Sequence, residues 1–166
     1  MTTQPLPAQS KSKRLGLKKI LVPLDFSPAS DNAFKYALHL GQHFGAQLYV
    51  IHVLEPVLSP RFAGLPEAPA FLKKSLQRRK KNLRARADSA GAAGVATKLV
   101  HRAGLPAHEI VEAAKDLDVD LVIIATIGHT GWKHFCIGST AERVVRAAPC
   151  PVLVVREKEL SARFAR

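Results

Sequence analysis

The stretch from Leu121 to Glu142 constrains the fold more than any other part of the sequence. Leu121 to Ile127 is an unbroken run of apolar or small residues rich in Val and Ile, which is typical of a strand buried on both faces of a parallel sheet. A loop with glycines follows this run. Ser139 and Glu142 then have the spacing of a helix capping box, and the apolar residues after them predict a short helix.

This strand, loop and helix start together predict an anion-binding site. The first turn of a helix has backbone N–H groups without partners, and the helix dipole places positive charge there. Glycines in the preceding loop let an anion approach the backbone closely. Phosphate is therefore the ligand that we expect at this end of the sheet.

Strand and helix patterns alternate along the rest of the chain. The predicted strands are Ile20 to Leu24, Leu48 to Leu54, Val95 to Val100, Leu121 to Ile127 and Val152 to Val155. Ser27 is placed to cap the first helix, which Gly45 ends. A loop with four prolines, Pro56 to Pro69, precedes a long helix from Phe71 to Ala90, and Pro106 begins the next helix.

This alternation predicts an α/β fold, an open doubly wound five-stranded parallel sheet with helices on both faces. Ligands of such sheets bind beyond the carboxyl ends of the strands, where the winding direction changes. Asp25 and the glycine loop each follow a strand in the sequence. We therefore expect both to line one crevice.

The charge of the chain is strongly positive, with 25 Lys and Arg against 13 Asp and Glu in 166 residues. Much of the excess is predicted to lie on the outer face of the long helix, at Lys73, Lys74, Arg78, Arg79, Lys80, Lys81, Arg84 and Arg86. A solvated face explains such a run most simply. Nucleic acid is a less favoured partner because no aromatic residues are interleaved for stacking on bases.

The length suits one domain, which we place at residues 17–157. Residues 1–16 are predicted to form a disordered basic arm, and residues 158–166 a tail. No apolar stretch approaches the roughly 20 residues that a membrane span needs, and no secretion signal is present at the start. We therefore expect a cytoplasmic protein.

Three segments carry a resemblance to a known family. KKILVPLDFSPAS, LYVIHVLEP and IIATIGHTGWKHFCIGSTAERVVRAAPCPVLVV together resemble the universal stress protein family from about Lys18 to Arg156. This resemblance implies a Rossmann-like fold of the adenine nucleotide alpha hydrolase type. In the ATP-binding branch of the family, the loop reads Gly, two residues, Gly, nine residues, Gly, and Ser or Thr. Gly128, Gly138 and Ser139 fit this pattern, but Ala125 replaces the first glycine.

The resemblance implies a ligand, which is ATP, with AMP or ADP as alternatives and Mg²⁺ as its companion. It assigns the adenosine end to Pro23, Leu24, Asp25 and Val53, with Val53 acting through its backbone. It assigns ribose and phosphates to Ala125, Gly128, Gly138, Ser139, Thr140 and Ala141. Each residue also has a simpler explanation, because Asp25 and Ser139 are typical helix caps and Val53 is a typical core residue.

Ala125 is expected to weaken nucleotide binding without abolishing it. Alanine costs about 1 kcal/mol if the backbone at this position needs a positive φ. If the glycine serves only to admit the ligand, the methyl group crowds the ligand instead.

No motif marks a dedicated catalyst. The sequence has no Walker-type loop, no dinucleotide Gly-x-Gly-x-x-Gly after the first strand and no evident nucleophile with a base, so we expect slow ATP hydrolysis at most. The final strand, Val152 to Val155, is expected to join two copies into a homodimer. An alternative is a nucleotide-free module that binds an unidentified protein partner, and a nucleic-acid binder is the less favoured one.

Overall fold

A computed structural model describes residues 16–55, 68–126 and 137–156, with the backbone alone at 68–73 and 75. Within these ranges, the elements in chain order are β1 (Lys19–Pro23), α1 (Pro28–Phe44), β2 (Gln47–Leu54), α2 (Ala68–Ala92), β3 (Thr97–Ala103), α3 (Pro106–Asp116), β4 (Leu121–Ala125), α4 (Ser139–Ala147) and β5 (Val152–Val155). The predicted alternation of strands and helices is confirmed.

The five strands form one parallel sheet in the order β3-β2-β1-β4-β5. The chain winds outward from β1 to β3 in one direction, then crosses to β4 and winds the other way to β5. The predicted doubly wound α/β fold is therefore confirmed. The direction changes between β1 and β4, which makes their carboxyl ends the switch point of this sheet.

Helices cover both faces of the sheet. Along β1, Ile20 and Val22 point into the core beneath α1 and α2, and Leu21 points into the core beneath α3 and α4. These three side chains are completely buried. Because both faces are buried there, β1, β2 and β4 lack the alternation of polar and apolar residues that a half-exposed sheet would show.

Helix α1 begins and ends as its sequence predicts. The Ser27 hydroxyl accepts a hydrogen bond from the Ser30 amide at 3.2 Å, and Pro28 occupies the first turn, where its missing amide costs nothing. Gly45 ends the helix with a φ of 64°, a conformation that glycine adopts without strain. These caps fix how the chain leaves β1 and enters β2.

Several predicted boundaries are wrong by a few residues. Helix α2 begins at Ala68, so Pro69 lies in its first turn and not in the preceding loop. Strand β3 runs from Thr97 to Ala103 because its pairing with β2 continues as far as Leu54. Strand β4 ends at Ala125, and the predicted end, Ile127, lies outside the described residues.

The outer face of α2 is also less uniformly basic than predicted. Arg79 and Arg86 are half-buried and face the rest of the domain. Arg86 binds both carboxylate oxygens of Asp31 on α1 at 2.7–2.9 Å, and Arg79 lies beside His52 on β2. The side chain of Lys73 lies outside the described part of the chain. The remaining basic residues of α2 are exposed.

The predicted arm, domain and tail boundaries stay predictions, because residues 1–15 and 157–166 lie outside the described ranges. In the part of the chain that is described, no helix combines the length and apolar character that crossing a bilayer requires.

Candidate functional site

The pairing between β1 and β4 ends before Pro23, at the switch point of the sheet. Paired residues between these strands are limited to Ile20 with Leu121 and Leu21 with Val122. Backbone groups of odd-numbered β1 residues face β4, as the 2.9 Å bond from the Asp120 amide to the Lys19 carbonyl indicates. The next donor toward β4 would belong to Pro23, which has no N–H, so the ladder between the two strands stops early.

The start of α4 lies at the end of β4. The Gly138 amide donates to the carbonyl of Thr126 at 2.6 Å, and the Thr126 amide donates to Val155 on β5 at 2.9 Å. Thr126 is buried, and it anchors both ends of the loop between β4 and α4 to the sheet. Sequence reasoning missed this residue because its contribution comes from the backbone.

Helix α4 begins one residue earlier than the predicted capping box requires. Gly138 is the N-cap, with φ −60° and ψ 148°, and no side chain caps the helix. The predicted Ser139 cap is wrong, because Ser139 is already the first helical residue. The first helical bond runs from the Glu142 amide to the Gly138 carbonyl at 3.0 Å, so the amides of residues 139–141 precede it and lack a helical acceptor.

At the end of β1, Asp25 stabilises a tight turn. Its Oδ1 accepts a hydrogen bond from the Ser27 amide at 2.9 Å, so the simpler role in helix initiation is present. Phe26 between them has a φ of 65°, which is costly for a bulky residue. This turn directs the chain away from the sheet immediately after Leu24, so β2 extends beyond β1.

The backbone of Val53 is directed toward the space that β1 has left. Odd-numbered residues of β2 face β1, since the Gln47 amide donates to Lys18 and the Ile51 carbonyl accepts from Leu24, both at 2.8 Å. Even-numbered residues face β3, as the 2.8 Å bond from Leu48 to Ala96 shows. The amide and carbonyl of Val53 therefore face the space beyond the end of β1, and no described residue binds them.

His52 is a residue of this edge that sequence reasoning did not select. Its Nδ1 lies 2.7 Å from the Leu24 carbonyl, and its Nε2 lies 3.4 Å from Nη1 of Arg79. Burial lowers the pKa of His52 below its ordinary value, so the imidazole is held neutral. The only signal in the sequence was a histidine within the apolar run LYVIHVL.

The structure brings nearly all of the predicted site residues to one edge of the sheet. They come from the end of β1 (Pro23, Leu24, Asp25), from β2 (Val53), from the end of β4 (Ala125) and from the start of α4 (Gly138, Ser139, Thr140, Ala141). Gly128 lies outside the described residues.

Ala125 has ordinary strand geometry. Among the described non-glycine residues, a positive φ occurs only at Phe26 and Asp118. The alternative in which the backbone at position 125 needs a positive φ is therefore excluded, and the steric alternative remains. Its methyl group is half-buried and packs against the core on the side of α1.

Metal binding has no support from the side chains that the structure describes. Within residues 16–55, 68–126 and 137–156, no three His, Cys, Asp or Glu side chains are grouped closely enough to hold an ion. The groups available to a ligand at the carboxyl ends of the strands are backbone groups. They are the uncapped amides at the start of α4 and the amide and carbonyl of Val53.

Comparison with known proteins gives a consistent result. The model of the universal stress protein family matches residues 16–156. A universal stress protein of Methanocaldococcus jannaschii is 38% identical over 146 residues, which cover 84% of this chain and 82% of that protein. The solved structure of universal stress protein UspA from Lactobacillus plantarum is 29% identical with a TM-score of 0.73, covering 84% of this chain and 97% of its own.

Two more distant structures share the fold. One is a universal stress protein in complex with cAMP, with 23% identity, a TM-score of 0.63 and coverage of 86% of this chain and 99% of that one. The other is the universal stress protein from Archaeoglobus fulgidus in complex with dAMP, with 17% identity, a TM-score of 0.61 and coverage of 84% and 97%. At these identities the likeness concerns the fold alone.

Proposed function

The chain belongs to the universal stress protein family, and from that premise we propose that it binds an adenine nucleotide, ATP by preference, as a regulatory signal in a stress response. The observation that carries the proposal is the uncapped start of α4 beside the switch point of the sheet. This is where open α/β sheets bind their ligands.

The phosphates are proposed to bind at the first turn of α4. Amides of Ser139, Thr140 and Ala141 have no helical acceptor and no capping side chain, so a phosphate oxygen can accept from them and gains from the helix dipole. Gly138 places no side chain at the entrance to this turn. Gly128 is proposed to serve the same end, as the family resemblance implies.

The adenosine is proposed to bind between the ends of β1 and β2. Val53 presents an amide and a carbonyl toward the space beyond the end of β1. This pair of groups suits a flat base that both accepts and donates hydrogen bonds. Asp25 follows β1 on the other side, where a carboxylate can accept from ribose hydroxyls. The cAMP and dAMP complexes of two more distant proteins of this fold support an adenine ligand.

ATP, ADP and AMP share this adenosine and differ only in their phosphates. ATP is the proposed ligand because three phosphates gain most from the α4 amides. Mg²⁺ is proposed to arrive bound to ATP, and slow hydrolysis at most is expected. The proposed role is therefore that of a regulatory nucleotide binder and not of an enzyme.

Calorimetric titration with ATP, ADP and AMP tests the proposal. We expect an ATP dissociation constant in the micromolar to millimolar range, about −8 to −4 kcal/mol. Gly138→Val should abolish binding while the domain still folds, because φ −60° and ψ 148° are accessible to valine. Gly91→Val is the matched control, since a Cβ there meets no heavy atom within 4 Å.

Absence of heat with all three nucleotides would overturn the proposal, provided that Ala125→Gly behaves in the same way. The remaining function would then be a nucleotide-free module that binds a protein partner. If sequence-selective binding to duplex DNA survived about 200 mM salt, it would favour the basic face of α2 as the functional surface, because contacts to phosphates alone weaken steeply in that range.

A homodimer through β5 is proposed as the assembly. Strand β5 is an edge of the sheet, and Leu153 is exposed on it. Odd-numbered residues of β5 face β4, since the carbonyls of Pro151 and Val155 accept from β4 and from Thr126, so the Val154 amide points to the open edge. Val154→Pro removes that donor without breaking the internal ladder and should yield a monomer in light scattering. A monomeric natural protein at micromolar concentration would refute the dimer.

A further inference from the structure

The imidazole of His52 is enclosed at the end of β2, with only 7% of the residue exposed. Its ring lies 4.8 Å from the ring of Phe26, measured between centroids. The charged and titratable groups that bear on it are Arg79 from α2, His101 from β3 and Asp25 from the end of β1. The contacts with Leu24, Phe26 and Arg79 come from three separate segments and fix the orientation of the ring.

The hydrogen bonds of His52 determine which nitrogen carries the proton. A carbonyl oxygen can only accept, so the Nδ1 that lies 2.7 Å from the Leu24 oxygen must donate. Arginine can only donate, so the Nε2 that faces Arg79 at 3.4 Å must accept. The two contacts agree on one neutral tautomer.

That tautomer changes the end of the ladder between β1 and β2. The Leu24 amide donates to Ile51, and in a regular parallel ladder the Leu24 carbonyl would next accept from the Val53 amide. Here the Leu24 carbonyl accepts from the imidazole instead. His52 therefore occupies the acceptor that would otherwise bind Val53.

We propose that His52 is a positioning residue of the nucleotide site, which keeps the Val53 amide available for the base by holding the Leu24 carbonyl. The inference rests on the proposed nucleotide function. The contact between the rings of His52 and Phe26 also helps to keep the Val53 amide available. Phe26 has a positive φ and forms the turn that carries the chain away from Val53.

Two nearly isosteric substitutions test this role. The amide nitrogen of asparagine can take the place of Nδ1, so His52→Asn keeps a donor for Leu24, whereas the longer His52→Gln carries its amide toward the position of Nε2. We expect His52→Asn to bind ATP within about twofold of the natural protein. We expect His52→Gln to bind about five- to tenfold more weakly, which lies within the range for one hydrogen bond. Inorganic tripolyphosphate should bind all three proteins equally, because it lacks the base.

Equal ATP affinity for the glutamine variant and the natural protein would overturn the proposal. Equal weakening by both substitutions, or a parallel loss of tripolyphosphate binding, would also overturn it, because either result indicates a general structural role. If the natural protein does not bind ATP at all, both the proposed function and this inference are refuted. That result differs from the outcomes above, in which the natural protein binds ATP and only the inference about His52 is refuted.

Hydrogen exchange of the natural protein gives a test that needs neither variant nor ligand. The Val53 amide should exchange much faster than the Ile51 amide, which faces the same side of β2 inside the ladder. In the glutamine variant, the Val53 amide should become protected as it binds the Leu24 carbonyl. Strong protection of Val53 in the natural protein would refute the inference.

Discussion

Replacing Pro23 by valine should extend the hydrogen-bond ladder between β1 and β4. The substitution adds a backbone donor that faces β4, where the next acceptor in the ladder is the carbonyl of Ile123. The new hydrogen bond contributes about 0.5–1.5 kcal/mol. Loss of proline costs about 0.4–1 kcal/mol through the greater freedom of the unfolded chain. The free energy of unfolding should therefore change by less than about 1 kcal/mol.

Nucleotide affinity should fall even though stability does not. If the ligand must separate β1 from β4 to enter, it breaks the added bond, and the same 0.5–1.5 kcal/mol corresponds to a loss of about two- to thirteenfold. Urea denaturation and calorimetry with ATP measure the two quantities, and hydrogen exchange reports whether the amide at position 23 is protected. Pro151→Val, at the opposite edge of the sheet, is the control. A protected amide at position 23 with unchanged ATP affinity would refute this reasoning.

Three further predictions concern stability and the replacement of the first motif glycine by Ala125. Arg86→Ala should lower the free energy of unfolding by about 1 kcal/mol, because the ion pair with Asp31 is bidentate but one-third exposed. In a double-mutant cycle with Asp31→Asn, measured by urea denaturation, the coupling energy between the two residues should account for most of this loss. Burial lowers the pKa of His52 in the folded protein. Its contribution to stability is therefore complete above about pH 6.5, the pKa of an unfolded histidine, and is lost as the pH falls through the lowered pKa. In thermal unfolding, the melting temperature of His52→Asn should fall less steeply with decreasing pH than that of the natural protein. Ala125→Gly should tighten ATP binding in calorimetry by at most about tenfold, the factor for ~1.4 kcal/mol, and weaker binding would contradict the steric explanation.

The sheet could be predicted from the sequence because its signals are local. The Val-rich and Ile-rich runs identify buried strands, and Ser27, Pro28 and Gly45 mark the ends of α1 with side-chain chemistry that does not depend on the rest of the fold. The doubly wound parallel arrangement followed from the alternation of strands and helices and from the handedness of crossovers. The limits of β3 were predicted poorly because its pairing with β2 determines them, and that pairing is long-range.

The details of the site depended on contacts between distant segments. Ser139 fits a capping box by spacing, but the amide of Gly138 is bound by Thr126, and the helix begins after it. His52 belongs by its sequence context to a buried strand, and its role depends on the carbonyl of Leu24, on another strand. Neither contact has a local signature, so neither could be predicted before the strands were paired.

The groups that the carboxyl ends of the strands would offer to the proposed nucleotide are mostly backbone, and for that reason we expect a departure such as Ala125 to be tolerated. The α4 amides and the polar groups of Val53 remain in place whatever side chains surround them, provided that the chain follows the same path. Ala125 follows that path with ordinary strand geometry, and its methyl group already packs against the core. Its effect on the ligand is therefore limited to steric contact. Residues that set the path itself should therefore influence binding without touching the ligand, Pro23 by withholding a donor and His52 by occupying an acceptor.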